Sequence, residues 1–141
     1  MLISEIMSKD VVKVDNTKTV FDICNIYKKR GVGSLVVIKD DMVVGIVTER
    51  DIIERVIIKL KDPKKTKVEE IMSRNIKTIH ASAKVEKAVE IMKEYKIKKL
   101  PVILNNDILG IVTITDIANI LPNYSKLLED EIQKSKENNN I

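Results

Sequence analysis

The pattern of apolar and polar positions predicts two copies of one series of short elements. The apolar stretches 11–14 and 76–79 are too short for helices and are typical of brief strands. Each precedes a segment whose apolar residues recur at helical spacing, followed by two β-branched runs and a last helix. The sequence therefore predicts the order β-α-β-β-α twice.

The first long helix of each copy is predicted from its caps and its apolar face. Thr17 and Ser82 are the expected N-caps, because a hydroxyl there accepts a bond from a free backbone N–H. Gly31 is expected to end the first of these helices. Two sets of apolar residues define the helix faces: Val20, Ile23, Cys24, Ile26 and Tyr27, and Val85, Ala88, Val89, Ile91 and Met92. Cys24, the single cysteine, is therefore expected as a core thiol.

Hairpins and a second helix complete each copy. Strands are predicted over 35–38 and 42–47, joined by Asp40-Asp41, and over 100–104 and 108–112, joined by the turn 105–107. The last helices are expected from 49 to about 60 and from 114 to about 121, where Pro122 stops the second.

A motif repeated at an offset of 65 residues organises the chain. Residues 45–52 read GIVTERDI and residues 110–117 read GIVTITDI. In each copy a Thr suits the N-cap and an Asp three residues later suits the first helical turn. The same offset aligns 3–52 with 68–117 without a gap, with about 16 of 50 positions identical, and both copies open with a short helical Glu-Ile-Met-Ser turn. The predicted division is a repeat at 1–60, a linker at 61–67, a repeat at 68–122, and a C-terminal helix with a frayed tail at 123–141.

Composition narrows the possible functions. With 44% hydrophobic residues in 141, the chain suits one compact domain or two closely packed halves. The net charge of +4 is too mild to indicate nucleic acid. The chain has no signal pattern and no apolar run near the roughly 20 residues that span a bilayer, so we expect a cytoplasmic protein without membrane contact. His80 has no second His or Cys near it in the sequence, and neither a nucleophile motif nor a Gly-rich phosphate loop is visible, so an enzyme is disfavoured and no metal site is expected.

Together these features resemble a tandem pair of cystathionine-β-synthase-type (CBS) domains, also called a Bateman module. The resemblance covers 3 to about 121 and lies in the repeated Glu-Ile-Met-Ser opening, the Leu-x-Val-Ile strand with Pro101 in its second copy, and the Gly-Ile-Val-Thr-x-x-Asp motif. It implies an α/β (α+β) fold of two β-α-β-β-α CBS units related by pseudo-two-fold symmetry, with packed sheets and two clefts. It also implies a non-catalytic regulator, commonly a homodimer, that needs no cofactor, binds AMP, ADP, ATP, S-adenosylmethionine or methylthioadenosine, and signals to a separate effector.

The carboxylates of Asp51 and Asp116 suit the two hydroxyls of a ribose, because carboxylate oxygens only accept hydrogen bonds. The resemblance implies that each cleft combines residues of both repeats. Its primary cleft would contain Thr113, Asp116, Ile111, Lys99, Arg50, Met7, Val11, Val12, Val32 and Gly33. Its second cleft would contain Thr48, Asp51, Ile46, Ser34, Met72, Ile76, Lys77, Ile97 and Lys98.

The two clefts are not expected to be equal. Lys99 stands where the first repeat has Ser34, and Arg50 could share a phosphate with Lys99. Lys98 could crowd the second cleft where Gly33 leaves room in the first, so the Asp116 cleft is the predicted primary site. An interpretation without ligand binding also stays open, in which the apolar residues only pack in the core and Lys99 and Arg50 are ordinary solvated charges.

Three other functions stay open. An S-adenosylmethionine or methylthioadenosine sensor fits the same clefts. A nucleic-acid-binding protein fits the pI of about 9.1 but not the 3% aromatic content. A scaffold whose clefts are vestigial is the third.

Overall fold

The computed structural model describes residues 1–121. Residues 122–141, and with them the predicted stop at Pro122 and the predicted helix at 125–136, lie outside the described residues. The chain forms two compact units. We call Met1–Asp10 with 77–121 the discontinuous unit, and Val11–Ile76 the continuous unit. Each has its own core of aliphatic side chains.

The described elements follow the predicted order, with a short helix before each set. In chain order they are α1 (Ile3–Ile6), β1 (Lys13–Asp15), α2 (Val20–Arg30), β2 (Ser34–Lys39), β3 (Met42–Thr48), α3 (Glu49–Ile52), a π-helical turn (Ile53–Ile57), α4 (Val68–Ile71), β4 (Ile79–His80), α5 (Val85–Tyr95), β5 (Lys99–Leu104), β6 (Asp107–Thr113) and α6 (Ile114–Ala118).

Each unit contains one mixed three-stranded sheet. In the continuous unit β1 pairs parallel to β2, and β2 pairs antiparallel to β3; β4, β5 and β6 repeat this arrangement in the discontinuous unit. The predicted α+β class with two copies of β-α-β-β-α is confirmed. The parallel strands β1 and β4 begin two or three residues later than the apolar stretches predict. Val12, just before β1, packs against the core cluster, and its carbonyl accepts the Val36 N–H of β2 at 3.0 Å.

Both hairpins use two-residue turns. Asp40 and Asp41 have φ of 51° and 63°, and Asn105 and Asn106 have φ of 52° and 68°. Positive φ at both central residues is the type I′ geometry, which matches the twist of the flanking strands and which Asn and Asp tolerate. The first predicted turn is confirmed. The second is one residue shorter than predicted, because Asp107 already belongs to β6.

The N-caps predicted for the two long helices are wrong. Helix α2 is capped by Thr19, whose hydroxyl accepts the Asp22 N–H, whereas Thr17 donates its hydroxyl to Asp15. Helix α5 follows Lys84 without a side-chain cap, and Ser82 is bonded to the ring of His80. In both cases the hydroxyl stabilises the turn before the helix. Gly31 does end α2, in the left-handed conformation with φ of 64°.

The core position predicted for Cys24 is also wrong, because its thiol is exposed. Val20 and Ile23 are the buried residues of α2, and Ile26 and Tyr27 pack at the edge of the same core. At about 100° per residue, Cys24 projects roughly a quarter turn from the centre of that face. A broad apolar pattern thus overestimated the width of the buried face.

The last helix of each copy is shorter than predicted. Helix α3 passes into the π-helical turn, and the chain leaves the helix by Leu60, which has φ of 56° and is 91% exposed. Val56 is the last buried residue of that segment, and Ile117 is the last buried residue of α6. Each helix therefore ends close to where its contact with the core ends.

The opening segment of each repeat belongs to the compact unit formed by the other repeat. Ser8 exchanges two backbone hydrogen bonds with Ile111, of 2.9 and 3.0 Å, inside the discontinuous unit. Ser73 does the same with Ile46, at 2.8 and 3.1 Å, inside the continuous unit. The sequence repeat and the compact unit are thus built from different segments.

This exchange places the opening segments directly on a glycine of the duplicated motif. A Cβ built on Gly45 would clash with the side chain of Met72 and the carbonyl of Ser73. A Cβ on Gly110 would clash with Met7 and the carbonyl of Ser8. Only glycine permits the observed approach, because a backbone carbonyl cannot move aside as a flexible side chain can.

We expect Gly110→Ala and Gly45→Ala each to lower the free energy of unfolding by about 1–3 kcal/mol, the usual cost of overpacking a core. Gly33→Ala is the matched control, since nothing lies within 4 Å of a Cβ at that position. Urea unfolding measures all three. A loss for Gly33→Ala as large as for Gly110→Ala would contradict the steric explanation.

Candidate functional site

The candidate site in the discontinuous unit is the capping box at the start of α6. Asp116 Oδ2 accepts the Thr113 backbone N–H at 2.8 Å and the Thr113 hydroxyl at 3.1 Å. The Thr113 hydroxyl oxygen lies 3.2 Å from the Asp116 backbone N–H, which donates to it. Within residues 1–121 no bond to Asp116 Oδ1 is present. The cap thus uses one carboxylate oxygen and leaves the other available.

The continuous unit repeats two of these three bonds at the start of α3. Asp51 Oδ2 accepts the Thr48 backbone N–H at 2.9 Å, and the Thr48 hydroxyl accepts the Asp51 N–H at 3.2 Å. Asp51 Oδ1, however, faces the Arg55 guanidinium, with Nε at 3.8 Å. The Asp51 side chain is only 15% exposed, so the carboxylate in this ion pair is largely shielded from solvent.

A third Thr-x-x-Asp in the chain, Thr19 to Asp22, is an ordinary helix cap. Its hydrogen bonds, 3.0 and 3.1 Å, match those of the other two boxes. The N–H and hydroxyl of Thr19 bond to the Asp22 carboxylate, and these bonds hold its pKa below the usual value. This box follows a loop, whereas the other two follow the last strand of a sheet. The motif alone therefore predicts a cap, and its place at a strand end distinguishes the candidate sites.

The neighbouring strand presents a different residue to each candidate site. In the antiparallel ladder Lys99 is paired with Thr113, and Ser34 is paired with Thr48. A cation therefore starts the strand beside the Asp116 box, while a hydroxyl occupies the same place beside the Asp51 box. Paired residues of antiparallel strands lie about 5 Å apart, within reach of one ligand.

The two arginines of α3 and the π-helical turn have different partners. Arg50 Nε donates to Glu54 Oε1 at 2.7 Å, with the Arg50 side chain 73% exposed. Glu54 raises the pKa of Arg50 further. Arg55 is more constrained, because its Nη1 also donates to the Ile71 carbonyl at 2.8 Å. Arg55 is absent from the predicted site, although Asp and Arg at positions i and i+4 of a helix are a known pairing signal.

Tyr27 supports the strand that leads into the Asp51 box. Its hydroxyl donates to the Val47 carbonyl at 2.7 Å, one residue before Thr48. Burial, followed by the nearby charge of Asp51, raises the pKa of the Tyr27 phenol well above its ordinary value. The phenol is therefore a neutral donor at physiological pH. The spacing of Tyr27 predicts only a place on the apolar face of the helix, and not this bond.

The predicted binding residues are divided between the two compact units. The discontinuous unit contains Met7, Lys77, Ile97, Lys98, Lys99, Ile111, Thr113 and Asp116. The continuous unit contains Val11, Val12, Val32, Gly33, Ser34, Ile46, Thr48, Arg50, Asp51, Met72 and Ile76. The combination of these residues into two clefts stays a prediction.

Lys77 and His80 each make a local contact. Lys77 lies over the ring of Tyr95, with its ammonium nitrogen 4.3 Å from the ring centroid. His80 Nδ1 lies 2.7 Å from the Ser82 hydroxyl oxygen in an exposed turn. Among residues 1–121 no group of three or more His, Cys, Asp or Glu side chains is placed to hold a metal ion.

The chain matches a family model described as the CBS domain, at residues 3–58 and again at residues 68–123. It belongs to the CBS domain family. The resemblance noted in the sequence is thereby confirmed, and the chain contains a tandem CBS pair.

Similar proteins extend the comparison. An uncharacterised protein of Methanopyrus kandleri, MK0525, is 31% identical over 96% of this chain and 70% of its own length. A hexameric CBS-CP12 protein from bloom-forming cyanobacteria is 29% identical, with a TM-score of 0.75 over 98% of this chain and 83% of that chain. The CBS domain pair of protein MJ0100, solved with methylthioadenosine and S-adenosylmethionine, is 27% identical, with a TM-score of 0.73 over 87% of this chain and 97% of that chain.

Within residues 1–121 no helix is long and apolar enough to cross a bilayer. The predicted cytoplasmic location of this CBS protein stays a prediction.

Proposed function

We propose that this CBS pair is a non-catalytic sensor that binds adenosine-containing ligands, foremost AMP, ADP or ATP, and signals to a separate partner protein. The observation that carries the proposal is the Asp116 carboxylate at a strand end, with Oδ2 held by the cap and Oδ1 unbonded within residues 1–121. No resident cofactor is needed for this role.

The chemistry of the Asp116 box suits a ribose. A carboxylate has about four acceptor positions, and the cap uses two of them on Oδ2. Oδ1 can still accept from one or both hydroxyls of a cis-diol. Because the cap fixes the carboxylate before ligand arrives, less entropy is lost on binding.

The apolar residues beside this box suit a purine. Met7 packs against Gly110 of β6, and Ile111 is the next residue of that strand. We propose that they contribute to the surface that contacts the base. Most of their area is core packing, since Ile111 is only 7% exposed.

Lys99 favours a phosphate-bearing ligand over a neutral one. It starts β5 opposite Thr113, so its ammonium group can approach a phosphate attached to a ribose at Asp116. Ser34 supplies no charge at the matching position of the Asp51 box. This difference supports Asp116 as the primary site.

The second candidate is a sensor of S-adenosylmethionine or methylthioadenosine. The bound ligands of the MJ0100 pair, a structure of similar fold, favour it. The ribose and adenine contacts would be shared by both ligand classes, and only the substituent at the 5′ carbon differs. A comparison of charged and uncharged ligands therefore separates the two candidates.

We also propose that the chain forms a homo-oligomer through an apolar surface of the continuous unit. Ile53, Ile57 and Ile58 are 55%, 58% and 67% exposed along the π-helical turn and the residue after it. Adjacent exposed isoleucines are unusual on a monomer and are typical of interaction surfaces. The hexameric CBS-CP12 protein gives an example of assembly in a protein of similar fold.

The Asp116 carboxylate can be tested by calorimetric titration with AMP, ADP, ATP, S-adenosylmethionine and methylthioadenosine. We expect Asp116→Ala to weaken binding at least about tenfold, because hydrogen bonds to a charged group contribute about 1.5–3 kcal/mol. Asp116→Asn, which can still accept the Thr113 N–H, should also bind weakly. Asp22→Ala is the matched control, since it breaks a Thr-x-x-Asp cap with the same two bonds to backbone N–H groups, at a helix that follows a loop. Binding by none of the five compounds, or equal binding by Asp116→Ala and wild type, would refute the proposal.

Lys99→Ala should weaken AMP or ATP binding by about tenfold and methylthioadenosine binding much less, because only the phosphates gain from the cation. Lys93→Ala, which removes an exposed lysine on α5, controls for net charge. Equal losses for all ligands with Lys99→Ala would contradict a phosphate-binding role.

Ile57→Glu should lower the mass measured by light scattering to that of one chain, because a buried unpaired carboxylate opposes association. Met42→Glu is the control, as Met42 is 69% exposed beside the hairpin turn, away from the isoleucines in sequence. A monomeric wild type, or an unchanged mass in Ile57→Glu, would refute this interface.

A further inference from the structure

The two Thr–Asp boxes differ most in what faces the second carboxylate oxygen. Arg55 Nε lies 3.8 Å from Asp51 Oδ1. The residue at the matching position of the second repeat, 65 positions later, is Ile120, which has no charge. Within residues 1–121 Asp116 has no ion-pair partner. The difference lies on the side of the carboxylate that the cap leaves available.

Arg55 is held in place by more than this ion pair. Its Nη1 donates to the Ile71 carbonyl at 2.8 Å, at the C-terminal end of α4. That carbonyl is one of the last in a short helix, so it has no partner within the helix and a cation there is favourable. One guanidinium thus connects the end of α4 to the carboxylate of the Asp51 box.

Arg55 also lies in the π-helical turn that follows α3. The turn is closed by the bond from Ile58 N to Ile53 O at 3.0 Å, the i to i+5 pattern of a π-helix. Such turns are rare and frequently occur at functional sites.

We propose that Arg55 is a specificity-determining residue that closes the Asp51 box to ribose. Its guanidinium lies beside the carboxylate oxygen that a ribose hydroxyl would otherwise approach. A ligand at Asp51 must displace this contact, whereas at Asp116 the matching side chain offers no competitor. The chain therefore directs an adenosine ligand to the Asp116 box. This inference rests on the proposed adenosine binding and names the device that selects between the two boxes.

The size of the effect follows from the geometry. Arg55 is 47% exposed, and an ion pair of that kind is weak by itself. Because Arg55 also donates a hydrogen bond to the Ile71 carbonyl, we expect the guanidinium to stay near Asp51 and the ribose-competent arrangement to be a minor population. The apparent affinity of the Asp51 box for adenosine falls in proportion to that population, and we expect it to be about tenfold lower than without Arg55.

The test measures Asp51 binding in an Asp116→Ala background, with adenosine and AMP as probes in calorimetry. Adding Arg55→Ile, the residue type of position 120, should tighten adenosine binding by about tenfold. Arg55→Gln, whose amide can still donate to the Ile71 carbonyl, should give the same gain because it lacks the charge that faces Asp51. Arg55→Lys retains the charge and should keep the site closed. If Arg55 only stabilised the fold, Arg55→Ile and Arg55→Gln would not tighten adenosine binding while Arg55→Lys left it unchanged.

The reciprocal variant Ile120→Arg, in the otherwise unchanged chain, should weaken adenosine binding at Asp116 by a similar factor, about tenfold. Three results would overturn the inference. The first is adenosine binding that is no tighter in either Arg55→Ile or Arg55→Gln. The second is weaker AMP binding in those two variants. The third is unchanged adenosine binding in Ile120→Arg. Weaker AMP binding would assign Arg55 to phosphate instead. Wild-type chain that binds no adenosine compound would refute the proposed function itself, which separates the two failures.

Discussion

The close approach of a backbone carbonyl to Gly110 and to Gly45 is the contact on which both units depend. Each glycine lies inside the last strand of its sheet, and the Met-Ser end of an opening segment lies directly on it. Paired hydrogen bonds at Ile111 and Ile46 fix the register of that contact. The opening segment of one repeat thereby bonds to the last strand of the other repeat and contributes to its core. Neither compact unit is encoded by one repeat alone, because each takes its opening segment from the other copy.

The same strand leads from this contact to the candidate site within three residues. Gly110 receives the opening segment, Ile111 pairs with it, and Thr113 ends the strand and caps α6. Any shift of β6 would therefore move the Asp116 carboxylate. The capping bonds perform two roles, since they begin the helix and also fix the orientation of the carboxylate. The exposed box at Asp22 has the same bonds without a strand end or a packed opening segment, which is why the motif alone does not define a site.

The residues that give the two boxes the same backbone bonds are not the residues that give them different charges. Residues that maintain the cap and the glycine contact are the same in both repeats, so the backbones of the two boxes have closely similar hydrogen-bond geometry. Residues one turn of helix or one strand away differ, as Arg55 differs from Ile120 and Ser34 from Lys99. Charge at these positions changes the electrostatics of each box without cost to the core, because the side chains are not part of it. The two boxes therefore share one backbone arrangement and differ in the charges around it.

The sequence by itself determined the repeat, the order of elements, both hairpins and the two boxes, because apolar period, turn residues and cap residues act within a few positions of each other. Local patterns misplaced the caps at Thr17 and Ser82 and the thiol of Cys24, because several hydroxyls and apolar residues compete for one role and only packing selects among them. Only the tertiary structure decided which opening segment joins which sheet, since that contact links residues about 100 positions apart in one unit, as between Ser8 and Ile111. It also decided that Arg55 meets both Asp51 and Ile71, because the second partner lies on another helix, which helical spacing cannot indicate.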